Sequence, residues 1–180
     1  MNYPKLPPWP FIDPDTPPEG YLKVGESLDQ ARSTYSPQLW HFFVYEGRLI
    51  VVKKEWIQFD DEPGEYAIRQ YEYPIAGARW FVDTTERFFL PPDHPNAVPR
   101  GAKTIEEPVD GEVLGVTRGA AYGGEFIPGY SFDNLNRYEH STLITRSRCQ
   151  MFEMGDPWLF EDGLFDLFKQ IAQRHENGEF

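Results

Sequence analysis

Gln38–Phe59 reads QLWHFFVYEGRLIVVKKEWIQF. Two runs rich in β-branched and aromatic residues flank Glu46-Gly47, a pair suited to a tight turn, so the segment predicts a β-hairpin. After the acidic turn DEPG, residues 65–74 (EYAIRQYEYP) place Tyr66 and Ile68 on one face and Tyr71 and Tyr73 on the other. That alternation predicts a third antiparallel strand. Upstream, GESLDQARSTYSP (residues 25–37) predicts a short helix with Ser27 as its N-cap and Pro37 enforcing its end.

Downstream the period changes. Ala78, Phe81, Val82, Thr85, Phe88 and Phe89 fall on one helical face, and Arg79, Asp83 and Arg87 are spaced as i,i+4 opposite charges, which predicts a helix over 75–90 stopped by Pro91 and Pro92. VDGEVLGVTRGA (109–120) and RYEHSTLITRSRCQMFEM (137–154) predict two further strands, joined by the glycine-rich AYGGEFIPGYSFDNLN (121–136). A final helix is expected to start at Asp156 as N-cap with Pro157 in its first turn, and to carry Leu164, Leu167, Phe168 and Ile171 as an apolar stripe. Asn177-Gly178 marks its end, and Gly163 is a point where it could split in two.

Strands before and after a central helix, with a second helix last, predict an α+β domain: one antiparallel sheet with two main helices packed on it, over residues 21–180. Regular βαβ alternation is missing, which disfavours a doubly wound nucleotide fold. No internal repeat is visible. Residues 1–20 contain Pro4, Pro7, Pro8, Pro10, Pro14, Pro17 and Pro18, and predict a proline-rich extended N-terminal arm. Tyr3, Leu6, Trp9, Phe11 and Ile12 make this arm too apolar to hang free, so it is expected to lie on the domain; a proline-rich ligand for another protein's aromatic groove is the sharper alternative.

Gly111, Gly115, Gly119 and Gly123 recur at every fourth position. A membrane helix pair is excluded by Glu112 and Arg118 amid strand formers, and a phosphate loop by the missing Lys-Ser/Thr and G-x-G-x-x-G patterns. On a strand, Gly111, Gly115 and Gly119 share one small face with Val113 and Thr117, while Leu114 and Val116 face the other way. A bulky group, an aromatic or a helix, is expected across that face; a bulge at Gly119 and a ligand approaching bare backbone are the rivals.

The 180 residues include 14 Phe, 10 Tyr and 5 Trp along the whole chain, enough for a core without disulfides. Cys149 is the single cysteine, which excludes an internal disulfide and suits a reducing compartment. No stretch of apolar residues is long enough for a membrane span and no signal-peptide pattern opens the chain, so a cytoplasmic location is expected. The formal charge is −12, from 17 Lys plus Arg against 29 Asp plus Glu. Such a balance argues against nucleic acid or an anionic membrane as partner and favours a basic protein.

Catalytic and metal patterns are missing. No His-Glu-x-x-His, His-x-His or G-x-S-x-G is present, and no cofactor motif emerges. His94 and His175 suit a loop and a helix end, a nucleophilic Cys149 would need His41 or His94 brought from elsewhere in the chain, and a buried, inert thiol is the favoured reading. His140 and Cys149, nine residues apart on one predicted strand, would lie on opposite faces and far apart. Arg146 and Arg148 near His140 could hold an anion, although pairing with the acidic loops is the favoured reading.

Three runs carry the acidity, 59–65, 105–112 and 153–166, and the first two supply the candidate partner-binding residues: Asp60, Asp61, Glu62, Glu65, Glu106, Glu107 and Asp110. With many Tyr and Trp residues suited to interfaces, they predict a non-catalytic acidic inhibitor or immunity protein that neutralises a basic toxin or effector. The alternatives are a structural component of a phage particle or secretion system docking through the arm, and an enzyme with a site near Gly123-Gly124, His140 and Arg146.

Overall fold

Two hairpin turns of the chain each use two consecutive residues with positive φ. In the computed structural model, which describes residues 3–30, 37–58, 63–124, 126–143 and 148–180, Glu46 and Gly47 have φ of 45° and 71°. They join β2 (Gln38–Tyr45) to β3 (Arg48–Ile57), with Tyr45 facing Arg48 across the turn. Asp110 and Gly111, at 47° and 84°, do the same between β5 (Thr104–Val109) and β6 (Glu112–Gly119). These are the primed hairpin turns whose twist matches that of the flanking strands. Gly111 is therefore a turn residue and not the first rung of a glycine face.

The fold is α+β with two antiparallel sheets, where one was expected. Sheet A runs in the order β1 (Leu22–Asp29), β2, β3, β4 (Glu65–Pro74), β8 (His140–Ser141); sheet B runs β5, β6, β7 (Gly129–Tyr138), β9 (Cys149–Gly155). Apart from the two-residue β8, four strands and then a helix occur twice: β1–β4 before α1 (Gly77–Arg87), and β5–β9 before α2 (Leu164–Glu176). No sequence repeat announces this.

Inner residues of both sheets and one face of each helix make a single aromatic core. Tyr73 of sheet A stacks on Phe132 of sheet B at 3.9 Å and 7°, and its hydroxyl donates to the Phe132 carbonyl at 2.7 Å. Phe81 of α1 meets Phe168 of α2 at 4.7 Å. Ala78, Phe81, Val82 and Thr85 are buried as the helical period requires, but α1 stops at Arg87 and Phe89 is exposed. Arg79 approaches Asp83 at 3.8 Å as spaced, whereas Arg87 leaves the helix surface for Glu107 at 2.9 Å.

Four further expectations are corrected. Residues 22–29 form an edge strand and not the start of a helix; pairing with β2 overrides local propensity, and Ser27 caps nothing but accepts the Trp158 indole N–H at 2.8 Å. The rest of that predicted helix, residues 31–36, lies outside the described residues. Residues 129–136, read as loop, belong to β7, an interior strand of sheet B whose Tyr130 and Phe132 are buried. The single strand predicted over 137–154 is instead divided among the end of β7, β8 and β9, so Tyr138 lies opposite Cys149 and the extended separation of His140 from Cys149 does not hold. Asp156 makes no capping bond; its carboxylate takes Arg118, and a π-helical turn (Pro157–Glu161) precedes Gly163 and α2.

The two sheets meet where β4 runs out of strand partners. β8 pairs with only Arg69 and Gln70. Beyond them, side-chain amides take over: Gln150 Oε1 accepts the Glu72 N–H at 2.8 Å, and Asn134 Nδ2 donates to the Glu72 carbonyl at 2.7 Å. A buried backbone group has to be paired, and here sheet B pairs it.

Candidate partner-binding face

Strand alternation gives each sheet an outer face. On sheet A that face carries Phe43, Ile50 and Val52, all fully buried, because the N-terminal segment lies over them with Ile12 in the middle. Residues 3–21 contain no helix or strand. Side chains hold their backbone: Gln70 Oε1 accepts the Ile12 N–H at 3.0 Å, Arg137 Nη1 donates to the Pro7 carbonyl at 2.9 Å, and Asn136 Nδ2 donates to the Pro4 carbonyl at 2.8 Å. Phe11 stacks on His140 at 3.8 Å, and Lys54 ties down Asp13 and Asp15 at 2.8 and 2.9 Å.

Beneath this cover is a buried ionic cluster. Arg137 gives Nε and Nη2 to the two oxygens of Glu112 (3.0 and 3.1 Å) and Nη1 to Glu72 (2.8 Å); Arg48 also reaches Glu112, and His140 Nδ1 lies 2.8 Å from Glu72. Burial would push the Glu112 carboxyl up, but Arg137 and Asn134 hydrogen bonds and the Arg137 and Arg48 charges hold it below the usual range. The cluster's carboxylates and guanidinium groups saturate one another, the condition for tolerating buried charge. His140 is thus a fold residue, and Arg148 pairs with Glu139 at 2.8 Å, leaving no shared anion site for these two; Arg146 lies outside the described residues.

Sheet B differs. Its outer face is built from Thr104 and Glu106 of β5, Gly115 and Thr117 of β6, Ser131 and Asp133 of β7, and Met151 and Glu153 of β9, aligned in two rows by register. Thr104 and Thr117 hydroxyls lie 3.1 Å apart, and the Thr117 hydroxyl donates to Asp133 Oδ2 at 3.4 Å. One end of the face is bordered by Tyr3, whose hydroxyl donates to Glu106 at 3.1 Å, and by Lys5, which donates to the Leu135 carbonyl at 2.6 Å. The other end is closed by residues 120–124 and 126–128, between β6 and β7. There Gly119, Gly129 and Gly155 form a cross-strand row that lets Gly123 lie on Gly155, where an added Cβ would sit 2.7 Å from the facing Cα.

The expected bulky group across the glycine face is present at one position only. The Tyr122 ring occupies the place above Gly119, 2.5 Å from an ideal Cβ, while Gly115 faces only its cross-strand neighbour Asp133, at 3.3 Å. Burial pushes the Asp133 carboxyl up to about 7; neighbouring Ser131 and Thr117 hydroxyls restrain the rise, and Glu153 and Glu106 add to it.

Of the sequence-derived candidates among the described residues, Glu106 alone belongs to this face. Glu107 points the other way, accepting Trp80 Nε1 and Arg87 Nη1 at 2.9 Å each, and these bonds hold its carboxyl below the usual range. Asp110 is exposed in the β5–β6 turn, and Glu65 is exposed at the start of β4 on sheet A. Asp60, Asp61 and Glu62 lie outside the described residues. Asp133 and Glu153 were missed because they sit in segments read as loop and as part of one long strand; the alternation Tyr130, Phe132 against Ser131, Asp133 is the signal that would have found them.

Burial pushes the Cys149 thiol up, away from the thiolate a nucleophile requires. Burial likewise pushes His41 down. Among the described residues no three His, Cys, Asp or Glu side chains converge as a metal site, and no helix is long and apolar enough to cross a membrane. Comparison with protein-family models, with curated proteins and with solved structures finds no match.

Proposed function

We propose that the chain is a non-catalytic acidic binding protein, of the inhibitor or immunity kind, that captures a basic protein through the outer face of sheet B. The observation that supports this is where the charge goes. Of a chain with formal charge −12, Arg48, Arg79, Arg87, Arg118, Arg137, Arg148 and Lys54 are engaged in internal ion pairs. Between its two ends the sheet B face holds only neutral or acidic side chains, with Glu106, Asp133 and Glu153 in adjacent rows. A basic surface is steered to such a face. Residues 3–20 act in this reading as an arm that closes the opposite sheet, and the lone Cys149 fits a reducing cytoplasm.

The test is partner association after charge reversal. Capture from source-cell lysate identifies the protein retained by wild type, and its association rate is then measured at low salt. Glu106→Lys with Glu153→Lys is expected to slow association by at least about tenfold while the fold is kept. Glu65→Lys, on the other sheet, is expected to leave the rate within about twofold. An unchanged rate in the double variant would contradict the proposal.

A further inference from the structure

The third acidic run, 153–166, brings an aromatic ring to the surface among acidic side chains. Its π-helical turn buries Trp158 and Leu159 and leaves Phe160, Glu161 and Asp162 exposed. Beside it the chain leaves α1 in a tighter turn, where the Phe89 N–H donates to the Glu86 carbonyl at 3.0 Å, and Pro91 and Pro92 prevent another helical turn. Phe89, 62% exposed, thereby meets Phe160, 38% exposed, with ring centroids 5.6 Å apart. Both rest on the buried Tyr130 ring, at 6.4 and 6.0 Å. Single exposed apolar residues are ordinary on a surface, but two touching rings fixed on a packed base form a patch that a partner covers without having to order it first.

What borders the rings defines the occupant. An open cleft of about 560 Å³ has Leu90 and Pro95 as its apolar part and Asp83 and Glu86, with side chains 61% and 54% exposed, as its acidic part. Glu86 thus stands between cleft and rings. The neighbouring cations are already engaged: Arg87 donates to Glu107 and to the Asn96 carbonyl, Arg79 gives two N–H groups to Glu176, and Lys169 lies 3.3 Å from Glu86. Arg79 comes no closer to Asp83 than 3.8 Å. A second copy of this chain would bring like charge to the same place, since each carries −12. A segment with an apolar side and a basic side matches both the rings and their surround.

We propose that this surface docks an amphipathic basic segment of another protein. Apolar side chains of that segment cover Phe89 and Phe160, and one of its lysines or arginines lays its stem on Leu90 and Pro95 with its charge between Asp83 and Glu86. None of these residues belongs to the outer face of sheet B, and the docking holds whatever that face binds.

The experiment is a fluorescence-anisotropy titration of the full chain into a labelled peptide of leucine and lysine in amphipathic helical pattern. The same peptide with serine for every leucine, and with glutamate for every lysine, are the controls. Saturable binding is expected, with both controls weaker by at least about tenfold. Phe89→Ser, at an exposed position, is expected to weaken binding by about tenfold or more. Asp83→Asn with Glu86→Gln is expected to weaken it by about threefold and to reduce its dependence on salt. Glu106→Gln with Glu153→Gln, on sheet B, is expected to leave it within about twofold, which separates this surface from the capture face. No saturable binding, equal binding of the serine peptide, or a loss caused by the sheet B variant and not by Phe89→Ser would overturn the proposal. So would a wild-type dimer in sedimentation that Phe89→Ser dissolves, because the occupant would then be a second copy. Failure of the capture reading is seen elsewhere, in an association rate unchanged by charge reversal at Glu106 and Glu153.

Discussion

The two outer faces of this molecule are made by the same alternation and end in opposite states. Sheet A turns Phe43, Ile50 and Val52 outward and recruits the N-terminal segment to bury them. Sheet B turns Gly115, Thr117, Ser131 and Asp133 outward, with Tyr122 over Gly119 at one end and Tyr3 bonded to Glu106 at the other. Apolar outward residues drive the chain to supply its own cover, whereas small and polar ones leave the face to others. Unpaired buried polar atoms occur on both, His41 Nδ1 on sheet A and Asp133 Oδ1 and Ser131 Oγ on sheet B, so the contrast lies in the cover and not in unmet bonds.

The largest effect is expected at the anchor of the cover. Arg137→Met removes the cation between Glu72 and Glu112 and the donor to Pro7, and is expected to cost roughly 3–5 kcal/mol in a denaturant titration. A loss below about 1 kcal/mol would show that the sheets and the cover do not depend on this cluster. Ile12→Ala comes next, at about 2–4 kcal/mol for an emptied site on sheet A. A near-neutral result would break the comparison, because the cover would then not be bound by burial.

A change of opposite sign is expected on sheet B. The folded Asp133 carboxyl titrates at about 7 against an ordinary 3.8. The folded state therefore holds this proton more tightly, and wild-type stability falls as pH rises from about 4 to about 7. The full penalty of about three pH units has a ceiling of about 4 kcal/mol. Asp133→Asn escapes it, and after allowing for the amide's own unmet bonds should be more stable than wild type by roughly 1–3 kcal/mol at pH 8, with the gain gone at pH 4. Thermal melts at the two pH values decide this; equal stability at both would show that Asp133 is not buried without a full set of partners.

How much of this was legible in the sequence follows from which signals are local. The β2–β3 hairpin is, because Glu46-Gly47 and the flanking aromatic runs settle it within 22 residues. The face of α1 is as well, through the spacing of Ala78, Phe81 and Val82. The division into two sheets is not, since it depends on Gln150 and Asn134 meeting the Glu72 backbone from far along the chain. β7 was hidden by Gly123, Gly124 and Gly129, glycines that read as loop but here allow the 120–128 loop to lie on the sheet. Glu106 was found as an acidic residue in an acidic run. Its companions Asp133 and Glu153 come from separate strands, and only pairing brings them beside it.

The most direct measurement is hydrogen–deuterium exchange of the free protein and of its complex with the captured basic partner. Protection confined to β6, β7, β9 and the 120–128 loop is expected, with the 3–21 segment and β2–β3 unchanged. Protection over sheet A and the N-terminal segment, with sheet B exchanging as in the free protein, would contradict the assignment of the open face as the binding face.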